Sequence, residues 1–458
     1  MTAAEATPEI DLPASDRAFM GHPKGLGFLA FTEACERFSY YSMQTLLVLY
    51  MVNYLLVPER MADVIGLGWL QANWYGGKEG QPLSSAIFGD YTSLVYLTPI
   101  LGGIIADRWL GRRATLIAGA LVMALGHFLM AFEGTFIFAL LALIVGVGLF
   151  KGNIASQVGE LYSENDIRRA TAFQIFYIAI NASVIVAPLI AGTLGEKVGW
   201  HWGFGAAGVV MVLGLFIYLA AGPWLPQDSR DAAMQTDAPR AAMSRQDWGR
   251  LAALIVLVPV LAVSLLTNQE IFNAYLVWAD KHFELTFFGF VVPTSWMITV
   301  DSAVSASMLV AVTLFWTWWG KRRKEPDELG KMIIGSLFNI AGGLCLVMAA
   351  ATQGSGKIGL LLPFLFHLFN SIGFSHILPV SLALFSRFAP KAITAFVIGI
   401  YYLAFFAANK VVGIVGGWYS SMDTTQFWLL HVASAVIGLM AFVVFKLFLG
   451  RMLAQSGQ

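Results

Sequence analysis

The stretch TFIFALLALIVGVGLFKGNIASQV, from Thr135 to Val158, carries a single charge, Lys151. As a helix rising about 1.5 Å per residue it is about 36 Å long, enough to cross the ~30 Å hydrocarbon core of a bilayer. Runs of this kind recur from Gly27 to Leu449, separated by short polar joints. The short strands of alternating polarity that a membrane barrel needs do not appear. Of 458 residues, 58% are hydrophobic and 12% charged, where soluble domains hold roughly 45–50% and 25%. The chain therefore reads as an all-α membrane protein, since helices satisfy their own backbone hydrogen bonds in lipid.

Twelve apolar runs are expected to span the bilayer: 27–56, 83–106, 114–132, 135–158, 170–195, 202–223, 251–280, 291–319, 332–351, 359–386, 392–418 and 426–449. The polar segment 226–250 divides six from six. The domain reading is thus a tail (1–26), a six-helix bundle (27–225), a linker (226–250), a second six-helix bundle (251–450) and a tail (451–458). The first twenty residues place Glu5, Glu9, Asp11 and Asp16 ahead of any apolar run, which is the pattern of a soluble tail rather than a cleaved signal peptide.

Five alternate loops hold sixteen of the 28 Lys and Arg residues, among them Arg108, Arg112, Arg168, Arg230, Lys321 and Lys391, whereas the opposite loops hold five. Basic residues concentrate on the cytoplasmic side, so both termini are expected there, in a multi-pass protein of the inner (plasma) membrane. Formal net charge is zero, which gives no basic surface for nucleic acid. Cys35 and Cys345 both fall within apolar runs and suggest buried thiols, and neither they nor the seven histidines are spaced as a metal site. His127, His367, His376 and His431, in or near spans, are expected to pack or form hydrogen bonds. No nucleophile and base pair or cofactor motif points to an enzyme.

Three basic residues, Arg37, Lys151 and Lys410, remain inside spans, together with Glu33, Glu36, Glu270 and Asp301, and with Asp90 near a span end. A charge at the bilayer centre costs at least about 2.5–3.5 kcal/mol, so such residues face the bundle interior and find partners. Glu33, Glu36, Arg37, Tyr40 and Gln44 fall within an arc of about 100° on the first span. By depth, Lys151 on the fourth span is expected near this stripe, and Glu270, Asp301 and Lys410 are expected to form a second ion cluster. A carboxylate facing a cation in low dielectric is a proton-operated switch, because neutralising it frees the cation. The alternative for each pair is that it only holds helices together.

The run Glu33-Ala34-Cys35-Glu36-Arg37-Phe38-Ser39-Tyr40-Tyr41 resembles the ExxERFxYY signature of the proton-dependent oligopeptide transporter family. Pro99, Gly102, Gly103, Asp107, Arg108, Gly111 and Arg112 resemble that family's form of the major facilitator loop. Phe173, Gln174, Phe176, Tyr177, Asn181, Ser183 and Pro188 resemble its fifth-helix motif. Weaker likeness continues through Pro293 to Trp296, Arg387 to Pro390 and Gly399 to Asn409. The resemblance implies a major facilitator fold that works as a monomer, without a cofactor, and imports di- and tripeptides on the proton gradient.

It also implies roles. Glu33 and Glu36 would handle the proton with Arg37 as partner, and Lys151 would bind the peptide carboxylate or pair with the first helix. Tyr40, Tyr41, Tyr96, Asn181 and Trp296 would line the site, with Tyr401 where the family usually has tryptophan. Asp107, Arg108 and Lys410 would serve as gate residues. Gln44 stands in place of a common arginine and Phe374 in place of a common glutamate. On the seventh helix the acid is displaced to Glu270, and Asp301 replaces an asparagine on the eighth. Glu270 or Asp301 is accordingly expected to take the amine-binding or coupling role in the second half, with Lys410 as partner. A transporter of another small solute, such as an amino-acid derivative or nitrate, and a non-transporting receptor remain the other readings.

Overall fold

The computed structural model describes residues 14–163, 166–226, 243–390 and 393–448. The expected tail 451–458, most of the linker 226–250, and the loop cations Arg230, Arg240 and Lys391 lie outside these residues. Among the described residues there are twelve long helices: α1 Lys24–Tyr50, α2 Gly80–Ile105, α3 Arg112–Leu129, α4 Phe136–Glu160, α5 Arg168–Ala187, α6 Trp200–Ala220, α7 Arg245–Ser264, α8 Trp296–Gly320, α9 Glu328–Ala351, α10 Leu361–Phe388, α11 Thr394–Gly416 and α12 Thr424–Phe448. By length and composition, ten of the helical segments can cross a membrane. The exceptions are α1 and α2, whose buried faces carry Glu33, Glu36, Arg37 and Gln44 on one and Gln81, Ser84, Ser85 and Thr92 on the other.

Local chemistry shifts several boundaries. α7 starts six residues before the expected 251, because Ser244 and Asp247 form a capping box in which each side chain takes the other's backbone N–H, at 3.1 and 3.0 Å. The seventh span is then broken. Short helices Leu266–Glu270 and Ala274–His282 follow α7, and the backbone leaves helical values at Asn273. An apolar run looks the same with or without such a break. What sustains it in a membrane is a substitute acceptor: Glu270 Oε1 takes the Ala274 N–H at 3.1 Å. Before α8 the chain makes a small hairpin, β1 Thr286–Phe287 paired with β2 Phe290–Val291, so the eighth helix begins at Trp296 rather than 291.

The two six-helix halves meet along α2 with α11 and α5 with α8, and they are sealed at the end where α1 finishes and α2 begins. There Asn53 donates to Asp280 at 2.9 Å, Gln81 to the Gly416 carbonyl at 2.8 Å, and Ser85 to Asn273 at 2.9 Å. Glu196 accepts the Thr294 and Ser295 N–H groups at 2.7 and 2.8 Å, capping the entry to α8 from the other half. Trp296 donates to Thr193 at 2.9 Å. The buried apolar core is continuous between the halves at this end, from Leu46 and Leu55 to Leu276 and Phe427, while Leu254, Phe385, Val397 and Ala408 form a separate core within the second half. The halves are thus joined at one end and lined by separate cores at the other.

At that other end, Arg168 draws the segment before α1 onto the first half. It donates to Asp166 and Asp16, each at 2.8 Å, and to the Gly21 carbonyl at 3.3 Å. The Arg168 hydrogen bond holds the Asp166 carboxyl below the usual carboxylate range. A depressed carboxylate stabilises above its unfolded pKa and loses that contribution as pH falls through the folded value. Asp166→Asn is therefore expected to cost about 1 kcal/mol at neutral pH and progressively less as pH falls below the usual carboxylate range, read as unfolding of detergent-solubilised protein across that range.

Candidate functional site

The site is built on α1. One turn of helix brings Glu33 and Glu36 onto Arg37, whose Nε lies 3.1 Å from Glu33 Oε1 and also contacts Glu36 Oε2. All three are buried, Glu36 completely. Two carboxylates share one guanidinium, so the cluster carries one formal negative charge in a low-dielectric setting. Glu33 Oε2 and Arg37 Nη2 have no hydrogen-bond partner among the described residues, which leaves bonding capacity for a ligand or a proton.

Lys151 on α4 supplies the balancing charge. It reaches the same place without joining the ion pair: its ammonium lies 4.6 Å from the Tyr96 ring centre and 5.8 Å from that of Tyr40, while the Arg37 guanidinium lies 5.3 Å from the Tyr40 ring. Tyr40 is accordingly flanked by both cations. Tyr40 packs edge-on against Tyr41, with centres 5.1 Å apart. From the second half, Phe405 stacks on Tyr96 at 5.0 Å and Phe272 approaches Tyr41 at 6.4 Å. Tyr402 beside Phe405 keeps 38% of its surface accessible. Arg37, Lys151, Tyr40, Tyr41 and Tyr96 therefore gather where the two halves face each other.

Other expected positions lie elsewhere. Tyr401 is buried in the core of the second half, its hydroxyl 3.2 Å from Ser381, and the ring next to the site is Tyr402, one position and about 100° further round α11. Asn181 donates to the Tyr177 carbonyl of its own helix at 2.8 Å. Trp296 belongs to the seal. Asp107 lies 3.7 Å from Arg112, which also pairs with Glu160, so these residues tie α2, α3 and α4 together within the first half, and Arg108 is exposed. Gln44 is buried on the α1 stripe and Phe374 is partly buried on α10.

The second ion cluster is not formed. Lys410 pairs with Asp90 of α2 across the halves, because close approach of Gly89 and Gly413 brings α2 against that face of α11. Asp301 instead meets His367 Nδ1 at 2.8 Å, and His367 Nε2 meets the Tyr275 hydroxyl at 2.7 Å. Glu270 faces His431, with Oε2 3.5 Å from Nε2. Each buried acid of the second half thus has an imidazole, not an ammonium, as its neighbour. These pairs join spans 66 and 161 residues apart in sequence, so no local spacing announces them. Glu196 likewise gives no signal, since it reads as a loop residue at the end of an apolar run.

Comparisons with known proteins agree with this architecture. The model of the POT family (PTR2) matches residues 113–237. The chain is 29% identical to an uncharacterized transporter, YclF, of Bacillus subtilis, over 92% of this chain and 93% of the relative. It is 27% identical to the peptide transporter YePEPT of Yersinia enterocolitica, over 88% and 89%. A crystal structure of a mutant of the peptide transporter POT with sulfate superposes with a TM-score of 0.81 at 25% identity, covering 95% of this chain and 97% of the other. Signature residues, fold and relatives agree: the chain carries a POT-family (PTR2) domain, shares the major-facilitator fold of POT transporters over nearly its whole length, and is related to transporters, which are not enzymes.

Proposed function

We propose that this protein is a proton-coupled symporter that imports di- and tripeptides across the plasma membrane by alternating access. It works as a monomer with both termini cytoplasmic, so that the sealed end faces outward. The observation that carries the reading is the buried Glu33–Glu36–Arg37 cluster with Lys151 over the neighbouring tyrosines. A proton taken up by Glu33 or Glu36 neutralises the negative charge holding Arg37. Arg37 and Lys151 then present two cations to a peptide carboxylate, and the tyrosine faces accept its apolar groups. Release of the carboxylate and the proton on the open side restores the ion pair. Proton and substrate thereby favour each other's binding, which is what a symporter requires.

In the second half, Asp301, beside His367, supplies the negative charge that a peptide amino group needs in place of the absent glutamate at Phe374, and Glu270 takes the coupling role. The likeness to the peptide transporter YePEPT supports the peptide assignment. The test is uptake of a labelled dialanine-type peptide into liposomes under an imposed proton gradient. Wild type is expected to accumulate peptide, with Glu36→Gln and Lys151→Ala losing accumulation by at least about tenfold, the effect of removing ~1.4 kcal/mol of coupling. Absence of uptake by folded wild-type protein, with competition by an amino-acid derivative or an anion, would redirect the assignment to that solute.

A further inference from the structure

Hydrogen counting at the base of the seventh span gives a result that the site on α1 does not. His431 Nδ1 lies 2.9 Å from the Phe427 carbonyl oxygen one turn earlier on α12. A carbonyl can only accept, so Nδ1 carries the hydrogen, and in a neutral imidazole Nε2 is then a bare lone pair. Glu270 Oε2 lies 3.5 Å from that nitrogen, and both side chains are completely buried. Neither Nε2 nor Oε2 has another hydrogen-bond partner among the described residues. Two acceptors facing each other out of water are stable only with a proton between them, on the acid or on the imidazole.

Among the described residues, no other ion pair or hydrogen bond compensates Glu270 Oε2 or His431 Nε2. Phe427 and Trp428 pack on the imidazole, with centres 4.6 and 5.2 Å away. Beyond Trp428 lie Tyr275 and the His367–Asp301 pair, beyond Phe427 lies Tyr419, and α9 contributes the buried thiol of Cys345. On α11, which packs against α2, Lys410 is committed to Asp90.

We propose that Glu270 and His431 form a one-proton binding site in the second half, loaded while the outer end is sealed, and that its proton controls the seal. The connection is made of hydrogen bonds. Glu270 Oε1 accepts from Asn273 Nδ2 at 3.0 Å and from the Ala274 N–H at 3.1 Å. Asn273 Oδ1 in turn accepts from Ser85 of α2 at 2.9 Å, and Ser85 accepts from Gln81, which also holds the Gly416 carbonyl. Loss of the proton leaves Oε2 and Nε2 in repulsion. Rotation of the carboxylate relieves it, but the same rotation withdraws Oε1 from Asn273 and loosens the contact with Ser85. The deprotonated pair therefore favours opening of the outer end, and the protonated pair favours the sealed form, the order that symport needs after a proton has been released inside.

The inference deepens the proposed coupling but is tested without substrate. Proton uptake by the purified protein is counted as pH is lowered from about 9 to about 5, with infrared detection of a protonated carboxyl group. Wild type is expected to bind about one proton more than either Glu270→Gln or His431→Gln, because an amide N–H in either variant replaces the shared proton. Glu270→Gln, nearly isosteric, should melt no lower than wild type at neutral pH, and it decides the matter if His431→Gln fails to fold. Equal proton counts in wild type and Glu270→Gln would overturn the proposal. A protein that fails to carry peptide but shows the extra proton would sink the substrate assignment and leave this site standing.

Discussion

Arg37→Met is expected to abolish peptide accumulation and to lower stability by about 3–5 kcal/mol, the cost of removing one partner from a buried ion pair. The magnitude follows from what remains. Glu33 and Glu36 would be left as two carboxylates out of water, with Arg37 gone and Lys151 over the tyrosine rings rather than in contact with them. Such groups can only take up protons or distort the helix. The loss should therefore be largest at high pH, where both acids must stay charged or pay to be neutralised, and should shrink as pH falls. Adding Glu36→Gln to Arg37→Met removes one of the stranded charges. It is expected to recover about 2 kcal/mol, a coupling within the range for residues in one network, without recovering transport. Unfolding in detergent at two pH values measures the first effect, and liposome uptake measures the second. A single variant that keeps wild-type stability at high pH would mean that another cation compensates Glu33 and Glu36.

How much of this was readable in the sequence depends on whether the relevant partners are near in the chain. The α1 cluster is local: Glu33, Glu36 and Arg37 lie within one turn, so helical periodicity alone places them on one face, and the structure brings them together there. Apolar length similarly gives the helices, including α4 around Lys151. Depth along a span predicted less well. Glu270, Asp301 and Lys410 share a similar level, yet rotation about each helix axis sends them to three different partners, and a one-dimensional pattern carries no information on rotation in a helix that is apolar all round. Tyr401 and Tyr402 show the same failure at single-residue scale. The break at Asn273 was not readable either, because its support comes from a side-chain oxygen of Glu270 and not from any proline or glycine in the run.

Gly413→Ala is expected to shift the protein toward the form open at its outer end. A Cβ built on Gly413 would lie 2.7 Å from Gly89 Cα and 2.9 Å from the Ser85 carbonyl oxygen, and both obstacles are backbone atoms of α2, so no side-chain rotation relieves the clash. The helices must separate, at a cost of about 1–3 kcal/mol. That cost is paid only where α2 and α11 touch, that is, in the sealed form, because once the halves part the same methyl group meets nothing from α2. A substitution that strains one state and not the other changes their ratio by its full energy, here roughly 5- to 150-fold. Ser85–Asn273 and Gln81–Gly416 lie on the same pair of contacts and should loosen together. The measurement is labelling of a cysteine placed at Gln44, which is buried on the α1 stripe, by a thiol reagent that cannot cross the membrane. Labelling from outside should rise in Gly413→Ala while peptide uptake falls. Unchanged labelling with reduced uptake would place the effect of the methyl group in folding rather than in the balance of conformations, and would remove the Gly89–Gly413 contact from the account of the seal.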